Sequence, residues 1–220
     1  MTYARPSDPS TRPPRVAVLI SGRGSNLLAL LEAIERGDVP AEVVLVVSNR
    51  ADAGGIGYAR TRAIPTVIAD RLRYPKRPAR QERMRAALLA ADIDLIVCAG
   101  LDEILVADFV DEFAGQMMNV HPSLLPAFGK TLHAQAEALA HGVKVAGCTV
   151  HLVTHDVDGG PIIVQRAVPV LEDDTEDTLS ARILAEEHLA LPEAVRLWAE
   201  GRVRLDGRRV HILPAAARAR

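Results

Sequence analysis

The segment NVHPSLLPAFGK, Asn119 to Lys130, closes an apolar run with an amide, an imidazole and two prolines where the chain could simply turn. Side chains at i and i+2 of an extended backbone share a face, so Asn119 and His121 point to the same side. Pro122 biases His121 toward extended geometry and Pro126 stiffens the residues after it, so the imidazole is held. An amide and an imidazole held together can stabilise a developing oxyanion and pass a proton. A stiff loop carrying a solvated histidine is the plainer alternative and stays open at this point.

Three further groups could complete a site. In SGRGSNLL, Gly22 and Gly24 permit tight backbone geometry, while Ser25 and Asn26 stand beside the free amides of a helix N-terminus, a favourable place for phosphate. A Walker A loop is missing, Leu27 replaces the third glycine of a dinucleotide fingerprint, and the second strand ends in Ser48-Asn49 without an acid. The loop suits one phosphomonoester better than ATP or NAD. In CTVHLVTHDVDGGP, alternation puts Thr149, His151 and Val153 on one face, and Asp158 precedes two glycines. Such a turn also occurs in ordinary hairpins whose aspartate bonds its own backbone, and His155 and Asp156 read as solvated. Finally, at about 100° per residue, Glu187 falls inside the apolar arc of Leu179, Ile183, Leu184, Ala190 and Leu191. A carboxylate in a buried stripe requires a partner: a ligand hydroxyl, a backbone amide or a cation.

The elements that must position these groups alternate. RVAVLI, EVVLVVS, PTVIA and DLIVCAG read as strands, with helices over 26–36, 52–62, 78–91 and 103–113 between and after them. Strands apolar without alternation belong to a parallel sheet covered on both faces. From Val145 the pattern changes to VAGCTVHLV and PIIVQRAVPV, an antiparallel pair joined by a turn. A long helix then runs from Asp174 or Thr175 toward Glu200, with a kink expected at Pro192, and VRLDGRRVHIL reads as a hairpin about Asp206-Gly207. The expectation is an α/β fold: one open, mostly parallel sheet with helices on both faces and an antiparallel C-terminal strand pair. It occupies 15–213, between a flexible leader, 1–14, and a flexible tail, 214–220.

A chain of 220 residues, 49% hydrophobic, can bury one sizeable core. Its net charge of -2 gives no case for nucleic acid or a membrane surface, although the basic stretch Arg71 to Arg85 could face an anion or simply solvent. Cys98 and Cys148 lack metal-ligand or disulfide-framework spacing, and no apolar run or secretory signal points to a membrane. A reducing cytoplasm fits; no metal is expected, and the sequence leaves monomer and homodimer both open.

Taken together, SGRGSNLLALLEA, SNRADAGG, NVHPSLLPAF, GCTVHLVTHDVDGGPIIVQRAVPV and DTEDTLSARILAEEH resemble the formyltetrahydrofolate-dependent formyltransferases, from about residue 15 to 200. The SGxGSN loop narrows the resemblance to the branch acting on a phosphoribosyl amine. The resemblance implies a Rossmann-like formyltransferase sheet and formyl transfer from 10-formyltetrahydrofolate, as co-substrate, to the amine of 5'-phosphoribosylglycinamide in de novo purine synthesis, with tetrahydrofolate released. It implies Asn119, His121 and Asp158 as the catalytic trio, and Gly24, Ser25 and Asn26, with Arg23 nearby, at the phosphate. Glu187 is implied at the ribose, and Arg77, Asp102, Glu103, Ile104, Leu105 and Asn119 at the folate, together with the turn from Thr154 to Asp158. Two departures stand out. Asp102 and Glu103 follow Ala99-Gly100 and Leu101 where the family usually has methionine and a basic residue, and AFGKTLHA lacks the usual Pro-Gly or Lys-Gly. A formyltetrahydrofolate deformylase and an inactive phosphate-binding module are the alternative readings.

Overall fold

A computed structural model describes residues 12–215. Seven strands form the main sheet: β1 (Arg15–Ile20), β2 (Glu42–Ser48), β3 (Thr66–Ile68), β4 (Leu95–Cys98), β5 (Met117–His121), β6 (Val145–Leu152) and β7 (Ile162–Pro169). Their order is β3-β2-β1-β4-β5-β6-β7. The first five run parallel, and β6 and β7 continue the sheet antiparallel. The expected α/β architecture is present, and its physical basis is visible along β1. Val16, Val18 and Ile20 enter one apolar cluster and Ala17 and Leu19 the other, so both faces are dry. That is why the strand carries no polar alternation.

Helices α1 (Ser25–Glu35), α2 (Gly55–Thr61), α3 (Arg77–Ala90) and α4 (Ala107–Glu112) lie in the parallel half, succeeded by α5 (Ala134–Ala140) and α6 (Glu176–Ala199). Thr175 caps α6, accepting the Thr178 N–H, while the Thr178 hydroxyl accepts the Thr175 N–H. The helix runs on through Pro192, so the proline does not end it. Strands β8 (Val203–Asp206) and β9 (Arg209–Ile212) form the expected hairpin. Its turn residue Arg208 donates to the Gly159 carbonyl at 2.8 Å.

Two expectations change. The helix expected over 103–113 is only Ala107–Glu112: residues 101–106 form no helix, and Gln81 bonds the Ile104 carbonyl and the Val106 N–H. Helix α5 has no counterpart among the expected elements; its seven residues come after a loop rich in breakers. Of the stretch read as a leader, Arg12 donates to Asp94 at 2.6 Å and the Pro14 carbonyl accepts from Glu42. Residues 1–11 and 216–220, the remainder of the two expected arms, lie outside the described residues. Cys98 and Cys148 are free and buried, and burial pushes both thiols up to about 12. Among the described residues no helix is long and apolar enough to cross a membrane, and no group of three or more His, Cys, Asp or Glu could hold a metal ion.

The strand order reverses around β1, flanked by β2 and β4. In such sheets the carboxyl ends of the strands on either side of that point open a crevice. The loops 21–24, 49–54, 100–106 and 122–133 all leave from that edge.

Candidate active site

Asn119 and His121 lie on one face of β5, and β6 pairs with it antiparallel so that His151 stands opposite Asn119 and Thr149 opposite His121. Asp158 arrives from the loop after β6, which leaves the sheet beside Met117, where Val153 N–H donates to the Met117 carbonyl. It nevertheless reaches both rings, with carboxylate oxygens 3.6 Å from His121 Nδ1 and 3.7 Å from His151 Nε2. These are ion-pair distances rather than hydrogen bonds. Asp158 does not bond its own backbone, as an ordinary Asp-Gly-Gly turn would; its Oδ2 accepts the Lys130 N–H at 2.7 Å, 28 residues away in sequence. Gly160 permits the approach, since a Cβ there would sit 1.8 Å from the Leu152 carbonyl oxygen.

Hydrogen bonds fix the ring assignments. His151 Nδ1–H donates to the Leu152 carbonyl at 2.9 Å, so Nε2 is left to accept from Asn119 Nδ2 at 3.3 Å. Burial pushes the His151 ring below the ordinary imidazole range, against weaker opposing pulls from the Leu152 carbonyl and Asp158, so this ring is neutral near pH 7. The register of β6 slips at Val150/His151, and such bulges re-aim a side chain. His121, 6% exposed, donates Nε2–H to the Phe128 carbonyl at 2.9 Å, which leaves Nδ1 facing Asp158. One ring nitrogen of His121 is thus occupied by the loop.

That loop contains the FGK of Phe128 to Lys130. Phe128 and Lys130 both take left-handed backbone angles, φ 52 and 64, which lets nearby backbone groups meet two side chains. Phe128 gives its carbonyl to His121, and Lys130 gives its N–H to Asp158 and its ammonium to Asp156 at 2.8 Å. The ammonium contact is exposed and contributes little energy. Thr149, fully buried, ties the same loop to β6 by accepting the Leu125 N–H at 3.0 Å and donating to the Ser123 carbonyl at 2.7 Å. The Leu125-Pro126 bond beside these contacts is cis.

At the carboxyl end of β1, Gly24 is the N-cap of α1 with φ 76, and no side chain caps the free amides of its first turn. A Cβ on Gly24 would lie 2.4 Å from Gly55 Cα, which is backbone and cannot move aside cheaply. Gly24→Ala is therefore expected to lower the melting temperature by about 4 °C or more, from left-handed strain of about 1–2 kcal/mol plus displacement of the 54–55 backbone. It should also weaken binding of a phosphate-bearing substrate. A melt and a Michaelis constant check both, and unchanged values would dissociate this turn from the site.

Glu187, 7% exposed, accepts from Asn26 Nδ2 at 2.6 Å. Its partner is thus a side-chain amide, none of the three anticipated kinds. Asn26 Oδ1 is buried with no hydrogen-bond partner among the described residues. Burial pushes Glu187 above its ordinary 4.5, the Asn26 bond opposing in part. Between the two values the folded state keeps a proton that the unfolded state has lost, so stability falls as pH rises through that window. Glu187→Gln should remove this loss. The variant is expected to melt above wild type at about pH 8 and level with it at about pH 4, while binding a ribose-bearing substrate about tenfold more weakly. Equal melting at both pH values would contradict a burial penalty on the carboxylate.

The residues expected at a folate separate into two kinds. Arg77 is exposed at the start of α3, and Ile104 is exposed with Leu105 half-buried beside it. Asp102 and Glu103 turn their carboxylates inward. Arg71 pairs with Asp102, Arg80 Nε donates to Glu103 at 2.7 Å, and Asn49 Nδ2 donates to both acids at 3.1 Å. The basic stretch is therefore partly internal. The Asp102 N–H donates to Ser21 Oγ at 2.9 Å, joining this segment to the end of β1. His155 and Asp156, read as solvated, are exposed, each in a surface ion pair. Sequence reasoning put His151 on one face of β6 by alternation but gave it no role, and it left out the Phe128 and Lys130 backbone, which nothing local signalled.

A model of the formyl transferase family matches residues 14–195. The trifunctional purine biosynthetic protein adenosine-3 of Bos taurus is 44% identical over 191 residues, 87% of this chain and 19% of that protein. The chain thus spans about a fifth of that relative's length. Phosphoribosylglycinamide formyltransferase of Escherichia coli (strain K12) is 38% identical over 202 residues, 89% of this chain and 95% of that protein. The crystal structure of glycinamide ribonucleotide transformylase 1 from Symbiobacterium toebii superposes with a TM-score of 0.89 at 49% identity, covering 93% of this chain and 96% of that one.

Proposed function

The chain belongs to the formyl transferase family, and from that premise we propose that it transfers a formyl group from 10-formyltetrahydrofolate to the amine of 5'-phosphoribosylglycinamide, giving formylglycinamide ribonucleotide and tetrahydrofolate in de novo purine synthesis. The observation that carries the reading is the approach of Asp158 to His121, on the sheet face that β5 and β6 share through Asn119 and His151. Four side chains, a carboxylate, two imidazoles and an amide, meet across segments distant in sequence.

In the reaction the amine attacks the formyl carbon, a C–N bond forms, and negative charge develops on the formyl oxygen. One Asn119 N–H is held by His151; the other is the donor for that oxygen. Because neutral His151 accepts through Nε2, the Asn119 amide presents its NH2 rather than its carbonyl. The attacking nitrogen loses a proton as the leaving folate nitrogen gains one, and the bond from formyl carbon to that nitrogen breaks. Asp158 and His121 Nδ1 are the groups that relay this proton, with the Phe128 carbonyl holding the other ring nitrogen. Holding amine and formyl group together contributes at least as much as the proton transfer.

Gly24, Ser25 and Asn26 would hold the substrate phosphate at the α1 N-terminus, with Glu187 on the ribose. The buried, unpartnered Asn26 Oδ1 supports a polar ligand there. Arg77, the segment Asp102 to Leu105, and Asn119 would line the folate site. Two free buried thiols suit a reducing cytoplasm. Steady-state assay tests the reading: tetrahydrofolate release should require 5'-phosphoribosylglycinamide and saturate with it. Release at the same rate without the amine would mean hydrolysis, and binding of both ligands with no turnover would mean an inactive module.

A further inference from the structure

The acids Asp102 and Glu103 stand in the segment assigned to the folate, yet both are engaged by side chains of the fold, and the Glu103 carboxylate is buried. Glu103, its side chain 4% exposed, accepts from Arg80 Nε at 2.7 Å, from Gln81 Nε2 at 2.8 Å and from Asn49 Nδ2 at 3.1 Å. Gln81, almost fully buried, does more than bind Glu103. Its Oε1 accepts the Val106 N–H at 2.7 Å and its Nε2 also donates to the Ile104 carbonyl at 2.9 Å. Arg80 is anchored in turn by donating to the Tyr74 carbonyl at 2.6 Å, and Arg71 grips both the carbonyl and the carboxylate of Asp102. Four segments converge: the end of β2, the turn 70–76, the first turns of α3 and the irregular stretch 101–106.

We infer that Gln81 and Glu103 are positioning residues for the formyl donor: they set the main chain of 101–106 in its binding shape before any ligand arrives. The inference rests on the proposed assignment of this segment to the folate. A loop without helix or strand bonds of its own loses conformational freedom when a ligand orders it, and that loss weakens binding. Here the ordering is already done by side chains of the fold. An acid where a basic residue is usual thus becomes intelligible: Glu103 answers Arg80 inside the protein, and the brace needs a carboxylate because its donors are an arginine and two amides.

The test compares Gln81→Leu, Glu103→Gln and, as a control of reduced stability away from the segment, Val203→Ala. Tetrahydrofolate is the probe, bound by the full chain and measured by calorimetry, alongside the Michaelis constants of both substrates. Hydrogen exchange reads the Val106 amide without ligand. Both brace variants should weaken tetrahydrofolate binding and raise the formyl-donor constant by about tenfold, leave the amine constant within about twofold, and speed Val106 exchange in Gln81→Leu. Val203→Ala should leave tetrahydrofolate binding unchanged. Faster Val106 exchange with undiminished tetrahydrofolate binding would overturn the inference, as would an equal loss in Val203→Ala. Wild-type protein that fails to bind tetrahydrofolate would overturn it together with the folate assignment. Wild-type protein that binds tetrahydrofolate, with the loss in both brace variants but no formyl transfer, would sink the proposed reaction and leave the brace standing.

Discussion

Asp158→Asn is expected to lower kcat for formyl transfer by about 10²- to 10⁴-fold, the range associated with a positioned proton-transfer group. The substitution is isosteric, and asparagine is among the residues that best tolerate the left-handed φ of 53 at this position. Its side-chain oxygen can still accept the Lys130 N–H, so the contact that seats the turn survives. What disappears is the negative charge 3.6 Å from His121 and 3.7 Å from His151, and with it a member of the proton relay proposed above. Melting temperature and circular dichroism should stay near wild type. Unchanged turnover would remove Asp158 from the mechanism, whereas loss of folding would assign it a structural role.

Asn119→Ala is expected to lower kcat by about 10²- to 10³-fold, the effect of deleting one preorganised oxyanion donor. Its effect on the Michaelis constants should be smaller, because the deleted bond forms in the transition state rather than in the ground state. The variant also leaves His151 Nε2 without its donor, on a ring that burial keeps neutral. Asn119→Asp should be at least as poor, since an ionised carboxylate offers no N–H to the formyl oxygen. Rates of the two variants, taken with both substrates saturating, decide the point. A full wild-type kcat in Asn119→Ala would move oxyanion stabilisation elsewhere.

The fold was legible where a property is local. Apolar runs without alternation marked β1, β2 and β4, Asp174 or Thr175 was read as the start of α6, of which Thr175 is the cap, and Asp206-Gly207 marked the last turn. Glu187 was legible for the same reason, as a carboxylate at the wrong angle of an apolar stripe. Its partner Asn26, 161 residues away, was not. The same limit shortened α4: nothing between 101 and 106 states that Gln81 and Arg71 will bond that stretch out of a helix. Helix α5 escaped because a seven-residue helix has little periodicity to read.

The candidate site divides along the same line. Asn119 and His121 could be placed on one face from their spacing in β5, and Pro122 could be seen to hold the ring. The roles of the ring nitrogens depend on the Phe128 carbonyl, the Leu152 carbonyl and the register of β5 with β6, all products of tertiary structure. The FGK segment is the clearest case. Its residue types suggest only a turn, yet its backbone supplies an acceptor to His121 and a donor to Asp158.

Formyl transfer itself is tested most directly by tracing the carbon. With 10-formyltetrahydrofolate labelled with ¹³C at the formyl group and 5'-phosphoribosylglycinamide in excess, NMR should record the label leaving the folate and appearing in the formamide of the ribonucleotide product, mole for mole. Label recovered as free formate, at a rate indifferent to the amine, would contradict formyl transfer.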